Sequence, residues 1–188
     1  MARPRSEDRR NAIMAAATQI IAAQGLGAPT ALIAKAAGVS NGSLFTYFET
    51  KTDLFNQLYI ELKAEVAAVA LDGLPTGEGA REQLAYVWSH WLRWAQIYPD
   101  KRRALLQLNV SDEVGAASRD IVRCGYGEIT ALVERARENG PMHAAPFGLF
   151  MALMSAVAEA TIDFIKQDPA NADAHRQTSF DALWRMIG

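Results

Sequence analysis

The sequence predicts an all-α protein of about nine helices, arranged as a small basic N-terminal unit followed by a larger helical body. Two observations lead to this reading. Apolar residues recur at helical spacing along nearly the whole chain. Stretches rich in glycine, proline and capping residues break that pattern into lengths typical of helices, and no segment alternates persuasively as a strand or repeats internally.

The elements follow in order. Ile13, Ala16, Ala17, Ile20 and Ile21 mark a first helix over about 6–24, ended by Gly25 and Gly27. Thr30 is placed to cap "ALIAKAA", which Gly38 stops. A third, short helix covers about 41–47, with Ser40 and Asn41 as candidate caps and Gly42 just inside. Thr50 caps a fourth helix, with Asp53 three residues on, and Leu54, Leu58, Leu62 and Val66 form its apolar stripe to about residue 70. "LDGLPTGEG" (71–79) is the clearest linker. Five helices are expected beyond it, over about 80–97, 101–110, 113–138, 145–167 and 172–187. They are separated by "YPD", a polar stretch near Ser111, "ENGPMHAAP" and "QDPAN".

The chain has 188 residues, half of them apolar, which suits one domain or two small ones. Its net charge of −2 is unevenly spread: residues 1–51 carry +3 and the remainder −5. A basic head on an acidic body fits a surface for a polyanion, although ordinary charge scatter gives the same count. The single cysteine, Cys124, excludes an intramolecular disulfide, and its expected state is an inert, half-buried thiol. No signal peptide is visible, and the apolar run 146–157 is too short to span a bilayer, so a soluble, cytoplasmic protein without a membrane partner is expected. His90, His143 and His175 lack metal-ligand spacing, and no nucleophile–base constellation stands out. Neither an enzyme nor a bound metal or cofactor is expected.

The most informative stretch is 29–48. Two short helices joined by "AGVS" read as a helix-turn-helix, with Gly38 allowing the tight turn and Val39 packing inward. The second helix would bury Leu44 and Phe48 and expose Asn41, Ser43, Thr46 and Tyr47, groups suited to base edges and phosphates. Gly42 removes a side chain where a backbone N–H could touch a phosphate. Lys51 stands in the first turn of the next helix, where the helix dipole disfavours a cation unless an anion is near. A helical hairpin with a glycine turn and a solvated lysine is the alternative.

Residues 6–66 resemble the TetR family of transcriptional regulators. The resemblance rests on "IMAAATQIIAAQG", "TALIAKAAGVS" and "GSLFTYFETKTDL", in that order. It implies a DNA-binding domain over 6–66, in which Thr30, Ser40, Asn41, Gly42, Ser43, Thr46, Tyr47 and Lys51 face double-stranded DNA. Phe45 departs from the family pattern, which usually has tyrosine there, so a hydroxyl that often bonds phosphate is missing. Arg3 and Arg5 resemble a disordered basic arm that could add phosphate or minor-groove contacts; a solvated tail is the alternative. The resemblance further implies a C-terminal ligand-binding and dimerisation domain over 80–188. The last two helices of each subunit would form a four-helix bundle in a homodimer, with Phe147, Met151, Met154, Phe180, Leu183 and Trp184 available for that interface. The implied function is a repressor, released from an inverted-repeat operator by a small-molecule effector. "DKRRALLQL" stands where the family's coupling helix lies. A constitutive DNA-binding dimer without ligand response is the other reading.

For the effector the residues themselves offer Trp88, Trp91 and Trp94 on one helix and Gly125 on another, either as plain core or as the wall of a pocket for a hydrophobic, aromatic ligand. Gly125 and Gly127 lie inside an expected helix, which they loosen for close packing, for a ligand or for a kink. Glu159 and Asp163 are one turn apart, either as a solvated helix end or with one of them in a pocket to meet a cation. The helix over 145–167 is apolar almost all round up to Ala158 and must be covered on two sides.

Overall fold

The computed structural model describes the backbone of residues 3–188 and the side chains of residues 6–188. Ten α-helices make up the architecture: α1 (Arg3–Gln24), α2 (Thr30–Ala36), α3 (Asn41–Tyr47), α4 (Lys51–Leu71), α5 (Ala80–Ile97), α6 (Pro99–Asn109), α7 (Ala116–Gly125), α8 (Gly127–Arg137), α9 (Phe147–Gln167) and α10 (Ala172–Ile187). A 3-10 turn at Pro169–Asn171 precedes α10, and there is no strand among the described residues. The all-α class is as expected; the helix count differs by one. The segment expected as a single helix over 113–138 is two, broken at Tyr126, which sits at φ −96° and ψ 9°. The break falls between Gly125 and Gly127, neither of which has an atom within 4 Å of where a Cβ would stand. The two glycines therefore accompany a kink, not a close packing contact.

The helices form two compact units. The first comprises Met1–Glu65 and Tyr98–Gly125, the second Val66–Ile97 and Tyr126–Gly188.

In the first unit α1 packs along α6 and against α2, and α2 packs on α3. Ile13, Ala17, Ile21, Ile33, Leu44, Phe48, Leu54 and Leu108 are fully buried there. Polar groups fix the helix ends. The Gln107 side chain donates to the Ile21 carbonyl at 2.9 Å, a second bond to an acceptor in the last turn of α1 that also takes the Gly25 N–H. Arg10 reaches α4, at 2.6 Å from Glu61 and 2.9 Å from Gln57. Lys101 of α6 donates to both Glu65 oxygens, at 2.8 and 2.7 Å. Arg119 of α7 gathers the carbonyls of Asn109, Ser111 and Val114.

Arg119 and Lys63 both lie over the Tyr59 ring, at 5.8 and 5.7 Å from its centroid. Burial, and secondarily the Arg119 charge, lower the Lys63 pKa from 10.5 to about 8. Between those values the unfolded chain keeps a proton that the folded chain has lost, so stability rises with pH across that window. Burial raises the Tyr59 pKa, which reverses the trend once the unfolded tyrosine ionises near pH 10. Urea midpoints are therefore expected to rise between about pH 8 and 9.5, and Lys63→Met is expected to remove that rise. A flat wild-type profile would contradict the assignment.

In the second unit α5 packs against α8, α9 and α10, and α9 packs on α10. Leu84, Trp88, Leu92, Trp94, Val133, Phe150, Ala158, Ile162, Phe180, Leu183 and Ile187 are buried. Arg137, almost wholly buried, donates to the His143 and Ala145 carbonyls at 3.1 and 2.8 Å and so pins the α8–α9 loop. The apolar run expected to be too short for a bilayer continues into α9. That helix has 21 residues and a mean hydropathy of 1.6 over its most apolar window, so by length and composition alone it could cross one. It is nevertheless part of a packed unit, with Phe150, Met154, Ala158, Thr161, Ile162 and Ile165 buried.

Candidate nucleic-acid interface

The turn between α2 and α3 is set by backbone geometry. Gly38 adopts φ 68°, a left-handed conformation open to glycine at little cost. Its N–H bonds the Lys35 carbonyl at 3.2 Å and the Val39 N–H bonds the Ala34 carbonyl at 3.0 Å, the paired pattern of a Schellman motif. Val39 is half-buried. Ser40 then caps α3: its hydroxyl accepts the Ser43 N–H at 3.1 Å. Thr30, expected as a cap, is instead the first residue of α2. Pro29 holds the cap position and makes no side-chain bond.

On α3 the side chains divide by angle. Leu44 and Phe48 are fully buried. Thr46 and Gly42 lie opposite them, with Asn41 and Phe45 on one flank and Ser43 and Tyr47 on the other. The Thr46 hydroxyl rests on the Gly42 carbonyl at 3.3 Å. Gly42 has an ordinary backbone conformation, and a Cβ there would meet nothing within 4 Å. Neither backbone strain nor packing within this chain calls for a glycine at position 42.

The start of α4 is built with equal care. The Asp53 N–H donates to the Thr50 hydroxyl at 2.9 Å. The Asp53 carboxylate accepts the Glu49 N–H at 3.1 Å and the Gln57 amide at 2.9 Å. Thr52 bonds the Glu113 carboxylate, and Asn56 bonds the Glu113 carbonyl at 2.8 Å and the Gly115 N–H at 2.9 Å. Lys51, half-buried, places its Nζ 5.4 Å from the Phe55 ring centroid, and no carboxylate pairs with it among the described residues. The first turn of α4 is thus held by several hydrogen bonds, while no carboxylate among the described residues neutralises its cation.

All eight residues expected to face DNA are exposed or half-buried, and they fall on the start of α2, on α3 with its cap, and on the start of α4. Two large exposed apolar side chains of this segment, Leu32 and Phe45, stand outside that set. The backbone of Arg3 and Arg5 belongs to α1, so the expected disordered arm is helical there; their side chains lie outside the described residues.

The other expected sites are less gathered. Trp88 and Trp94 are buried and Trp91 half-buried, all in the second unit, whereas Gly125 is exposed in the first. Cys124, expected half-buried, is exposed beside it near the end of α7. Trp88 meets Trp91 edge-on at 5.8 Å and donates its indole N–H to the Arg176 carbonyl at 3.3 Å. A cleft of about 180 Å³ between α5 and α10 is lined by Trp88, Ser89, Asp173, Arg176, Gln177 and Phe180, among others. It is smaller than typical drug-sized sites, which begin near roughly 300 Å³. Of the expected interface residues, Met154, Phe180 and Leu183 are buried within this single chain, which leaves little of them for a partner. Phe147, Met151 and Trp184 keep partial exposure. The exposed apolar residues of α9 are others: Leu149, Ala152, Leu153, Ala156, Ala160 and Phe164.

A Schellman-closed turn, a capped second helix with a largely polar outer face and, at the next helix start, a lysine with no carboxylate partner among the described residues define a helix-turn-helix DNA-binding fold. Residues 13–58 match the model of the family described as "Bacterial regulatory proteins, tetR family". Among solved structures, the chain is similar to a putative tetR family transcription regulator from Shewanella sp. PV-4, at 26% identity and TM-score 0.82, over 94% of this chain and 96% of that one. It is also similar to a TetR family transcription regulator from Marinobacter aquaeolei VT8, at 23% identity and TM-score 0.86, over 98% of each chain. A third similar structure is the TetR-like transcriptional regulator LfrR from Mycobacterium smegmatis in complex with proflavine, at 21% identity and TM-score 0.69, over 96% of this chain and 98% of that one. Residues 13–58 thus match the DNA-binding region of the TetR family, and the chain as a whole shares the fold of these solved regulators.

Proposed function

We propose that this chain is a homodimeric, cytoplasmic repressor that binds an inverted-repeat operator in double-stranded DNA and is released by a small hydrophobic effector. The DNA-binding role is assigned to 6–66 and effector binding and dimerisation to 80–188. The observation that carries the DNA reading is the pairing of Gly42, where a Cβ would meet nothing among the described residues, with Lys51, a first-turn cation lacking a carboxylate partner among them. A phosphate beside both accounts for both.

Lys51→Ala tests it. Binding is expected to weaken about equally across operator sequences, and the slope of log affinity against log salt is expected to flatten by about one per subunit. Unchanged affinity and slope would contradict the phosphate role. Substitutions at Ser43 or Thr46 are expected instead to change base preference.

Two further observations support the remaining parts. The exposed apolar residues of α9 recur at helical spacing and suit a second copy of the chain. The tryptophans of α5 suit an apolar, flat ligand, and the LfrR structure holds proflavine. Proflavine is a direct probe: it is expected to quench tryptophan emission and release DNA over one concentration range, and operator DNA is expected to weaken its binding by the same factor. Quenching without release would favour a DNA-binding dimer that does not respond to this ligand.

A further inference from the structure

The outer surface of α3 carries one side chain that the polar DNA-facing set leaves out. Phe45 is 41% exposed, on a helix of seven residues whose other exposed positions are Asn41, Gly42 and Thr46. A single exposed phenylalanine on a general surface needs no explanation. Here the ring shares one flank of a polar helix with Asn41, one turn earlier, and the two lie side by side along one edge of the Gly42–Thr46 centre of the outer face. The neighbouring aromatic, Phe48, is fully buried with the Arg10 guanidinium 5.6 Å from its ring centroid, so the core does not need a second ring from this turn.

A phenyl ring offers no hydrogen bond to a phosphate. What it can recognise in a major groove is the one apolar feature there, the C5-methyl group of thymine. The amide of Asn41 suits the N6 and N7 edge of adenine. The two side chains on this flank therefore carry complementary preferences for the two members of A·T pairs.

We propose that Phe45 is a specificity-determining residue that reads thymine methyl groups, so that each operator half-site carries A·T pairs facing the Asn41–Phe45 flank of α3. The inference rests on the DNA-binding reading given above. It separates Phe45 from the phosphate-contacting role of Lys51: Phe45 contributes sequence preference and no salt dependence.

The test uses the full-length chain and the operator that it selects from a random duplex pool. Each thymidine is replaced in turn by deoxyuridine, which removes only the methyl group. At one or two positions per half-site, wild-type affinity is expected to fall about fourfold per methyl, the effect of exposing one buried methyl-sized group. Phe45→Ala is expected to be indifferent at those same positions, to keep the wild-type salt slope, and to unfold at the wild-type midpoint because the ring is exposed. Sensitivity that persists in Phe45→Ala, or a selected operator with no sensitive thymine, would overturn the inference while leaving the DNA-binding reading intact. Loss of all affinity by Phe45→Ala, random duplex included, would overturn it in favour of a structural role. Failure of the wild-type chain to bind any duplex would overturn the DNA-binding reading, and this inference with it.

Discussion

A chain carrying both Leu153→Asp and Phe164→Asp is expected to be monomeric and to lose operator affinity by about 10²–10⁴-fold, the scale of the avidity that linking two half-site contacts provides. Both residues sit on the outer face of α9, at 38% and 53% exposure, in the apolar series Leu149, Ala152, Leu153, Ala156, Ala160 and Phe164. Spacings of three and four residues keep that series on one stripe of the helix. In a two-fold interface every substitution occurs twice, so four carboxylates would have to be buried without partners, each at several kcal/mol. The fold of the single chain is expected to tolerate the change, because both side chains already face outward. Light scattering at micromolar concentration checks it: a variant that remains dimeric would place the interface elsewhere. Phe180→Asp is unsuitable for this purpose. Phe180 is 2% exposed within its own chain, so a charge there would damage the core of the second unit before it reached any partner.

The second large effect is expected at Phe48. Its ring is wholly buried at the C-terminal cap of α3, where the backbone turns extended at φ −134° and ψ 113°. Arg10 lies over the ring and is itself tied to α4 through Glu61 and Gln57. Phe48→Ala removes the anchor between the recognition helix and these contacts and is expected to cost about 3–5 kcal/mol. Denaturant unfolding checks it, and a loss below about 1 kcal/mol would show that α3 is held by other means. Three residues away, Phe45→Ala is expected to leave stability nearly unchanged. The contrast follows from burial alone.

How far these features were legible in the sequence depends on where the physics is local. The caps at Ser40 and Thr50 and the turn at Gly38 were readable because one residue type at one offset satisfies a known set of backbone groups. Thr30 misled by the same logic: Pro29 fixes the entry to α2 by its own backbone, so the hydroxyl was not needed. The break at Tyr126 was hidden because glycines inside an apolar pattern signal weakness without saying whether the helix bends, packs closely or stops. The interface was least legible. A helix that is apolar nearly all round, such as α9, announces that it is covered on two sides but not which side its own chain covers. Met154, Phe180 and Leu183 are apolar in the sequence just as Leu153 and Phe164 are, and only the fold shows that the first three are buried within the second unit while the other two face outward. Lys63 gave no signal, since its lowered pKa arises from burial beside Arg119, 56 residues away in the chain.

In the proposed function two copies of this helix-turn-helix meet one two-fold DNA site. The most direct measurement is the binding stoichiometry on the selected operator, by sedimentation of the complex, with one half-site intact or scrambled. Two chains per duplex are expected on an inverted repeat whose half-site centres lie about 34–36 Å apart or at a multiple of that spacing, with a large loss of affinity when either half is scrambled. One chain per duplex, or an affinity indifferent to the second half-site, would contradict it.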